Sequence, residues 1–192
     1  MNNMRILGLD ASLSSTGWNI ITDEDEILAC DKICTNAKSN TEIERIYIIA
    51  NRIKELIKVN SVDVVVAEDQ FFSKNPKTGL TLSRLMGAIM YICQDVDVQF
   101  ELLTPTQARK ILTGNGKLKK VDVAEFIRKN YVDLGEYSDE EVKTKGIEKT
   151  SDKYDSLAVS LAWNKLNRLN KKYGTNKWLK EYNCYIGWAI TL

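Results

Sequence analysis

No histidine occurs in these 192 residues. The commonest general base is therefore missing, and with it every Ser-His or Cys-His nucleophile and any mixed Cys/His zinc site. Hydrolytic chemistry in such a chain must come from carboxylates, lysine or metal-activated water. Cysteine is scarce as well: Cys30, Cys34, Cys93 and Cys184 form no CxxC pair. Reduced core thiols are expected, with a metal contact at Cys30 and Cys34 as the alternative. No apolar run approaches the roughly 20 residues of a membrane span. The first residues lead into only a few apolar positions before Asp10, so a signal peptide is not expected and a cytoplasmic location is. Net charge is nearly absent too, at +1. That balance conceals two basic stretches, Arg109 to Lys120 and Lys165 to Lys180, so nucleic acid stays open as a partner.

What is present fits one domain over 1–192, long enough to bury roughly two thirds of its unfolded surface without disulfides. Residues 5 to 10, 16 to 21 and 26 to 35 read as three short strands of an antiparallel meander. Thr41 to Glu44 is a capping box, and Ile43, Ile46, Ile49, Ile53, Leu56 and Ile57 form an apolar stripe, predicting a helix to about Lys58. Asp63 to Glu68 is a run of valines bounded by polar residues, which fits a central strand covered on both faces. Leu82, Leu85, Met86, Ile89 and Cys93 predict a helix over 78–93, with Gly87 allowing close approach. A strand follows over 96–103. Thr104-Pro105-Thr106-Gln107 then combines an N-cap, a first-turn proline and a capping-box glutamine, opening a helix that stops before Gly114. Residues 119–131 read as helix, 132–149 as a polar connection, and 151 to about 172 as a last helix with Leu157, Leu161 and Leu169 inward. The class is α/β: a mixed sheet with helices on both faces.

Four carboxylates stand out. Asp10 closes the apolar run Ile6 to Leu9 and precedes a turn of small residues. Glu68 closes the valine strand, where an unpaired carboxylate is costly, so it needs a cation, a metal or solvent at the sheet edge. Asp69 should point to the opposite face and is excluded. Asp152 and Asp155, three apart at a helix start, share one face. Acids are common in first turns, so taken alone this pair also reads as ordinary helix capping.

The segments ILGLDASLSSTGW, VVVAEDQFFSKNPKTGLTLSRLMGAI, TPTQARKILTGNGKLKKVDV and SDKYDSLAVSLAW resemble, in order and spacing, the four motif regions of the RuvC family of Holliday junction resolvases. The resemblance spans about residues 4–163. It implies an RNase H-like fold with a five-stranded mixed sheet, a homodimer, and an endonuclease that cuts four-way DNA junctions, with other branched DNA open in the phage-type members. It also implies that Asp10, Glu68, Asp152 and Asp155 are the catalytic and metal-holding acids. Four clustered acids repel one another unless cations neutralise them, and oxygen ligands suit two ions of Mg²⁺ or Mn²⁺. Asp10, on the central strand, is the expected shared ligand.

The same resemblance places Phe71 as an aromatic that wedges into the opened junction. The alternative is that Phe71 or Phe72 belongs to the core. Arg109 and Lys120 align with two family lysines that hold phosphate. Arginine at 109 is a departure that argues against proton transfer there. Lys117 and Lys119 extend the basic loop as DNA contacts, the alternative being a solvated connection. The helix over 78–93 is expected at the dimer interface. Beyond Trp163 the resemblance fades into a basic, aromatic extension, and the apolar segment from Cys184 to Leu192 is expected to pack on the domain or a partner.

Two other classes compete. Asp10 with its serine-rich turn is similar to the first phosphate loop of actin-like and sugar-kinase ATPases, but no second such loop follows. A non-cleaving junction-binding module would be expected to lack one of the acids, and all four are present.

Overall fold

Short apolar strands joined by tight polar turns pair most readily with their sequence neighbours, whereas strands separated by helices return in parallel. The computed structural model, which describes residues 3–69, 76–134 and 152–173, follows both rules. Among the described residues β1 (Arg5–Asp10), β2 (Ser15–Thr22) and β3 (Ile27–Cys34) form the antiparallel meander. Then β4 (Val64–Glu68) and β5 (Gln99–Leu103) add in parallel on the other side of β1. The order is β3-β2-β1-β4-β5, so β1 and β4 are interior strands and their residues are buried on both faces.

One face is covered by α1 (Glu42–Val59) and α2 (Pro76–Asp95), the other by α3 (Pro105–Thr113), α4 (Lys120–Asn130) and α5 (Asp152–Tyr173). Leu7, Leu9 and Val65 pack with Ile49, Ile53, Leu85 and Ile89 on the first face. Ile6, Val64 and Val66 pack with Ile111, Ile127, Leu157 and Leu161 on the second. Each such side chain contributes about 1.5 to 3 kcal/mol when fully buried. Both expected capping boxes form: Glu44 N–H donates to Thr41 Oγ1, and Gln107 N–H to Thr104 Oγ1. The helix α3 stops at Gly114, whose φ of 84° suits glycine.

Several expectations shift. Ile43 is 80% exposed and does not belong to the α1 stripe. Leu169 is only half-buried. The last strand begins at Gln99 rather than Val96. Val96 and Val98 bond back to the Ile92 and Cys93 carbonyls in the turn that ends α2, with Asp97 at φ 54°. Of the three described cysteines only Cys93 is buried, while Cys34 is exposed and Cys30 half-buried. A side chain at Gly87 would meet nothing within 4 Å, so that glycine serves no close approach within the described chain. Among the described residues no helix is long and apolar enough to cross a membrane.

The seat of α5 sets up the site. A Cβ on Gly8 would stand 2.7 Å from the Ser156 carbonyl oxygen, and one on Gly17 only 2.0 Å from that of Asp152. These glycines therefore let the helix backbone rest directly on β1 and β2. Further along, Ser160 Oγ donates to Asn19 Oδ1 at 2.7 Å, and Asn164 Nδ2 donates to Asp25 Oδ1 at 2.8 Å. With its length fixed in this way, α5 presents its first turn at the end of β1.

Candidate active site

Asp10 is the last residue of β1 and Glu68 the last of β4. The two strands are parallel, with Leu9 opposite Ala67, so both carboxylates leave the sheet at the same edge. The first turn of α5 brings Asp152 and Asp155 to that edge. Asp10, Glu68 and Asp155 are buried, at 7%, 9% and 8% exposure.

Burial of like charges has the expected electrostatic result. The Asp10 carboxyl is pushed up to about 8, first by burial and then by the neighbouring Glu68 and Asp155 carboxylates, with Asp152 adding a smaller push. Glu68 is pushed up to about 7, again mainly by burial, while Lys120 and Arg109 pull the other way. Lys120 lies among these acids. Its Nζ donates to Asp155 Oδ2 at 2.6 Å. Burial works against the ammonium, but Asp155, Asp10 and Glu68 outweigh it and the lysine pKa rises.

Among the described residues no three Asp, Glu or Cys side chains are already gathered as a coordination shell. Two of the four acids are engaged elsewhere: Asp155 with Lys120, and Asp152 with Ser15, whose Oγ donates to Asp152 Oδ2 at 2.5 Å. The donor set nonetheless suits hard divalent cations. It is all oxygen, anionic and mostly buried, and its raised acids are the groups that a cation would relieve.

The basic residues divide into two kinds. Arg109 is half-buried, and its NH1 donates to the Leu118 carbonyl at 3.1 Å, tying α3 to the connection that carries the other lysines. Lys117 and Lys119 on that connection are exposed. Phe71 lies outside the described residues, as do Phe72 and the extension beyond Tyr173.

The family model for crossover junction endodeoxyribonuclease RuvC matches residues 6–161. The chain belongs to the RuvC family. The RuvC of Ehrlichia chaffeensis is 31% identical over 160 residues, covering 82% of this chain and 94% of the relative. That of Fusobacterium nucleatum is 27% identical and covers 93% of this chain and 97% of its own. Among solved structures, Thermus thermophilus RuvC superposes with a TM-score of 0.72 at 21% identity, covering 87% of this chain and 97% of that one. The yeast mitochondrial Holliday junction resolvase Ydc2 gives 0.64 at 15% identity, over 94% and 85%. These likenesses establish the RNase H-like fold, with its five-stranded mixed sheet and helices on both faces.

Within this RuvC-family site two contacts have no precursor in the sequence: the Ser15 bond to Asp152 and the Arg109 bond to Leu118. In the sequence Ser15 reads as part of a small-residue turn and Arg109 as a phosphate contact, a role that one bond to a neutral carbonyl leaves open. The hydroxyl run Ser12 to Thr16 beside Asp10 was the only signal for the first. For the second, the arginine-for-lysine exchange marked the position but not its bond to Leu118.

Proposed function

We propose that this chain is a metal-dependent, structure-selective endodeoxyribonuclease that resolves four-way DNA junctions by paired phosphodiester hydrolysis across a two-fold dimer. Membership of the RuvC family supports the reaction. The observation that carries the site assignment is the burial of Asp10, Glu68 and Asp155 at one sheet edge around Lys120. Asp10, Glu68, Asp152 and Asp155 would hold the ions, Mg²⁺ or Mn²⁺, at two per site. When bound, such ions supply water activation that needs no histidine base, together with a Lewis acidity that no side chain provides.

The rest falls to the protein. Asp10 and Glu68, fixed on interior strands, give a rigid base for the ions that would meet the scissile phosphate. Lys120 keeps the acids from repelling one another before DNA arrives and presents a cation toward the phosphate. Lys117 and Lys119, exposed on the loop, take the neighbouring backbone phosphates. Phe71 supports the unstacked bases at the branch point, and Arg109 holds the loop in place. The outer face of α2, with Leu80 and Tyr91 exposed at 54% and 71%, is the surface for the second copy.

Cleavage of a synthetic four-way junction, a fork, a flap and a linear duplex with Mg²⁺ tests this reading. Symmetric nicks in the junction, none from Asp10→Asn, and weak or no duplex cutting are expected. Equal cutting of junction and duplex would remove the structure selectivity, and an active Asp10→Asn would remove the metal assignment.

A further inference from the structure

Resting on that metal-site reading, we infer that Ser15 is a positioning residue for metal binding: its hydroxyl orients Asp152, the most exposed of the four acids. Asp152 is the first residue of α5, and unlike the other three it is only half-buried. The contact that orients it comes from 137 residues away in sequence, the 2.5 Å bond from Ser15 Oγ to Oδ2. A hydroxyl has one proton to donate, so this bond engages one carboxylate oxygen and leaves Oδ1 without a claim on it from Ser15.

The strand side of this contact is itself held. Thr16 Oγ1 donates to the Ser12 carbonyl at 2.6 Å, and the Ser12 N–H returns to Thr16 Oγ1 at 3.2 Å, closing the loop between Asp10 and Ser15. Two residues on, Gly17 has no side chain and the Asp152 backbone lies directly over it. Lys153, next along the helix, reaches Asp31 of β3 at 3.6 Å. The loop that starts at Asp10 therefore ends by gripping Asp152, so two acids from opposite ends of the chain are aligned by one short segment. Neighbours that orient metal ligands are commonly worth 10- to 100-fold in affinity.

Mn²⁺ binding to the full chain without DNA, followed by the loss of the free-ion electron paramagnetic resonance signal, tests this directly. Ser15→Ala is expected to weaken Mn²⁺ binding roughly tenfold or more, with its metal-free melting temperature close to wild type. Ser15→Thr, which keeps the hydroxyl, is expected to restore most of the loss. In an Asp152→Ala background Ser15→Ala should add nothing, because its target is gone. Unchanged Mn²⁺ affinity in Ser15→Ala, or an equal further loss in the Asp152→Ala background, overturns the role of Ser15 while leaving the metal site standing. Wild-type protein that binds no Mn²⁺, or Asp152→Ala that binds it as wild type does, overturns the metal-site reading and this inference with it.

Discussion

Lys120 Nζ and Asp155 Oδ2 are 2.6 Å apart, joining the start of α4 to the first turn of α5. The pair does more than link two helices, because Asp10 and Glu68 also act on the same ammonium. One cation thus balances several buried acids when no ion is bound. On the proposed metal site, it occupies a carboxylate oxygen that a divalent ion would compete for, so loading would exchange partners at Asp155.

Replacing Lys120 with methionine keeps an unbranched stem one atom shorter and removes the charge. Junction cleavage is expected to fall roughly 100-fold or more, the scale for losing one preorganised electrostatic group. Metal-free protein at pH 8 should also lose about 1 to 2 kcal/mol. That is less than a fully buried pair would cost, because the lysine side chain stays 40% exposed. Cleavage assays and denaturant titrations read the two effects separately. A variant with full activity would show that Lys120 is only a helix-to-helix tie.

The raised acids predict an unusual dependence of stability on pH. Asp10 titrates near 8 when folded against 3.8 unfolded, and Glu68 near 7 against 4.5. Between those values the folded state binds more protons than the unfolded state, so metal-free stability should fall as pH rises from about 4 to 8. Melting in EDTA is expected to drop by roughly 5 °C or more between pH 5 and pH 8. Asp10→Asn, which cannot ionise, should reduce that slope and melt above wild type at pH 8, leaving the residual slope from Glu68. Added Mg²⁺ should raise the wild-type midpoint at pH 8 more than that of Asp10→Asn. A flat metal-free profile would mean that these carboxylates do not share one buried environment.

On the proposed reading Lys117 and Lys119 of the basic loop meet DNA while Arg109 also holds the loop, and salt distinguishes the two roles. Each phosphate neutralised contributes about 0.9 to the slope of log affinity against log salt. Lys117→Gln with Lys119→Gln is expected to lower junction affinity and reduce that slope by about 2. Arg109→Ala should lower affinity, and a change of slope well below one phosphate contact would mark a role through the Leu118 bond alone. A drop of a full phosphate contact in the Arg109→Ala slope would return Arg109 to direct DNA contact.

These contrasts mark what a linear pattern carries. Asp10 and Glu68 were legible because each ends an apolar run, and such a run predicts both the strand and its exit. The capping boxes at Thr41 and Thr104 were legible because their partners lie three residues away. Ser15 and Asp152 meet across 137 residues, and no local periodicity encodes such a contact. Ile43 was misplaced for a geometric reason: it lies roughly 80° around the helix from Ile53 at 100° per residue, on the margin of the stripe. Val96 and Val98 have strand-forming side chains and pack on the core, yet the turn that closes α2 claims their backbone N–H groups.

Gly87 offers the sharpest test of the proposed dimer. At 100° per residue Leu80, Gly87 and Tyr91 fall on one face of α2, and a side chain at 87 would meet nothing within 4 Å among the described residues. In an isolated chain, Gly87→Ala should therefore stabilise the helix by about 0.5 to 1 kcal/mol, the ordinary difference between these residues at an exposed helical site. If a second copy lies against this face, the added methyl intrudes where the two helices approach most closely. The expected outcome is a split result: a monomer that melts higher and a dimer that dissociates roughly tenfold more readily, equivalent to about 1.4 kcal/mol. Tyr91→Glu, which buries a charge at the same place, should give monomer at concentrations where wild type is dimeric. Sedimentation equilibrium measures both. If Gly87→Ala and Tyr91→Glu leave self-association unchanged, the second copy must dock on another face, and the outer surface of α2 is left without a role in it.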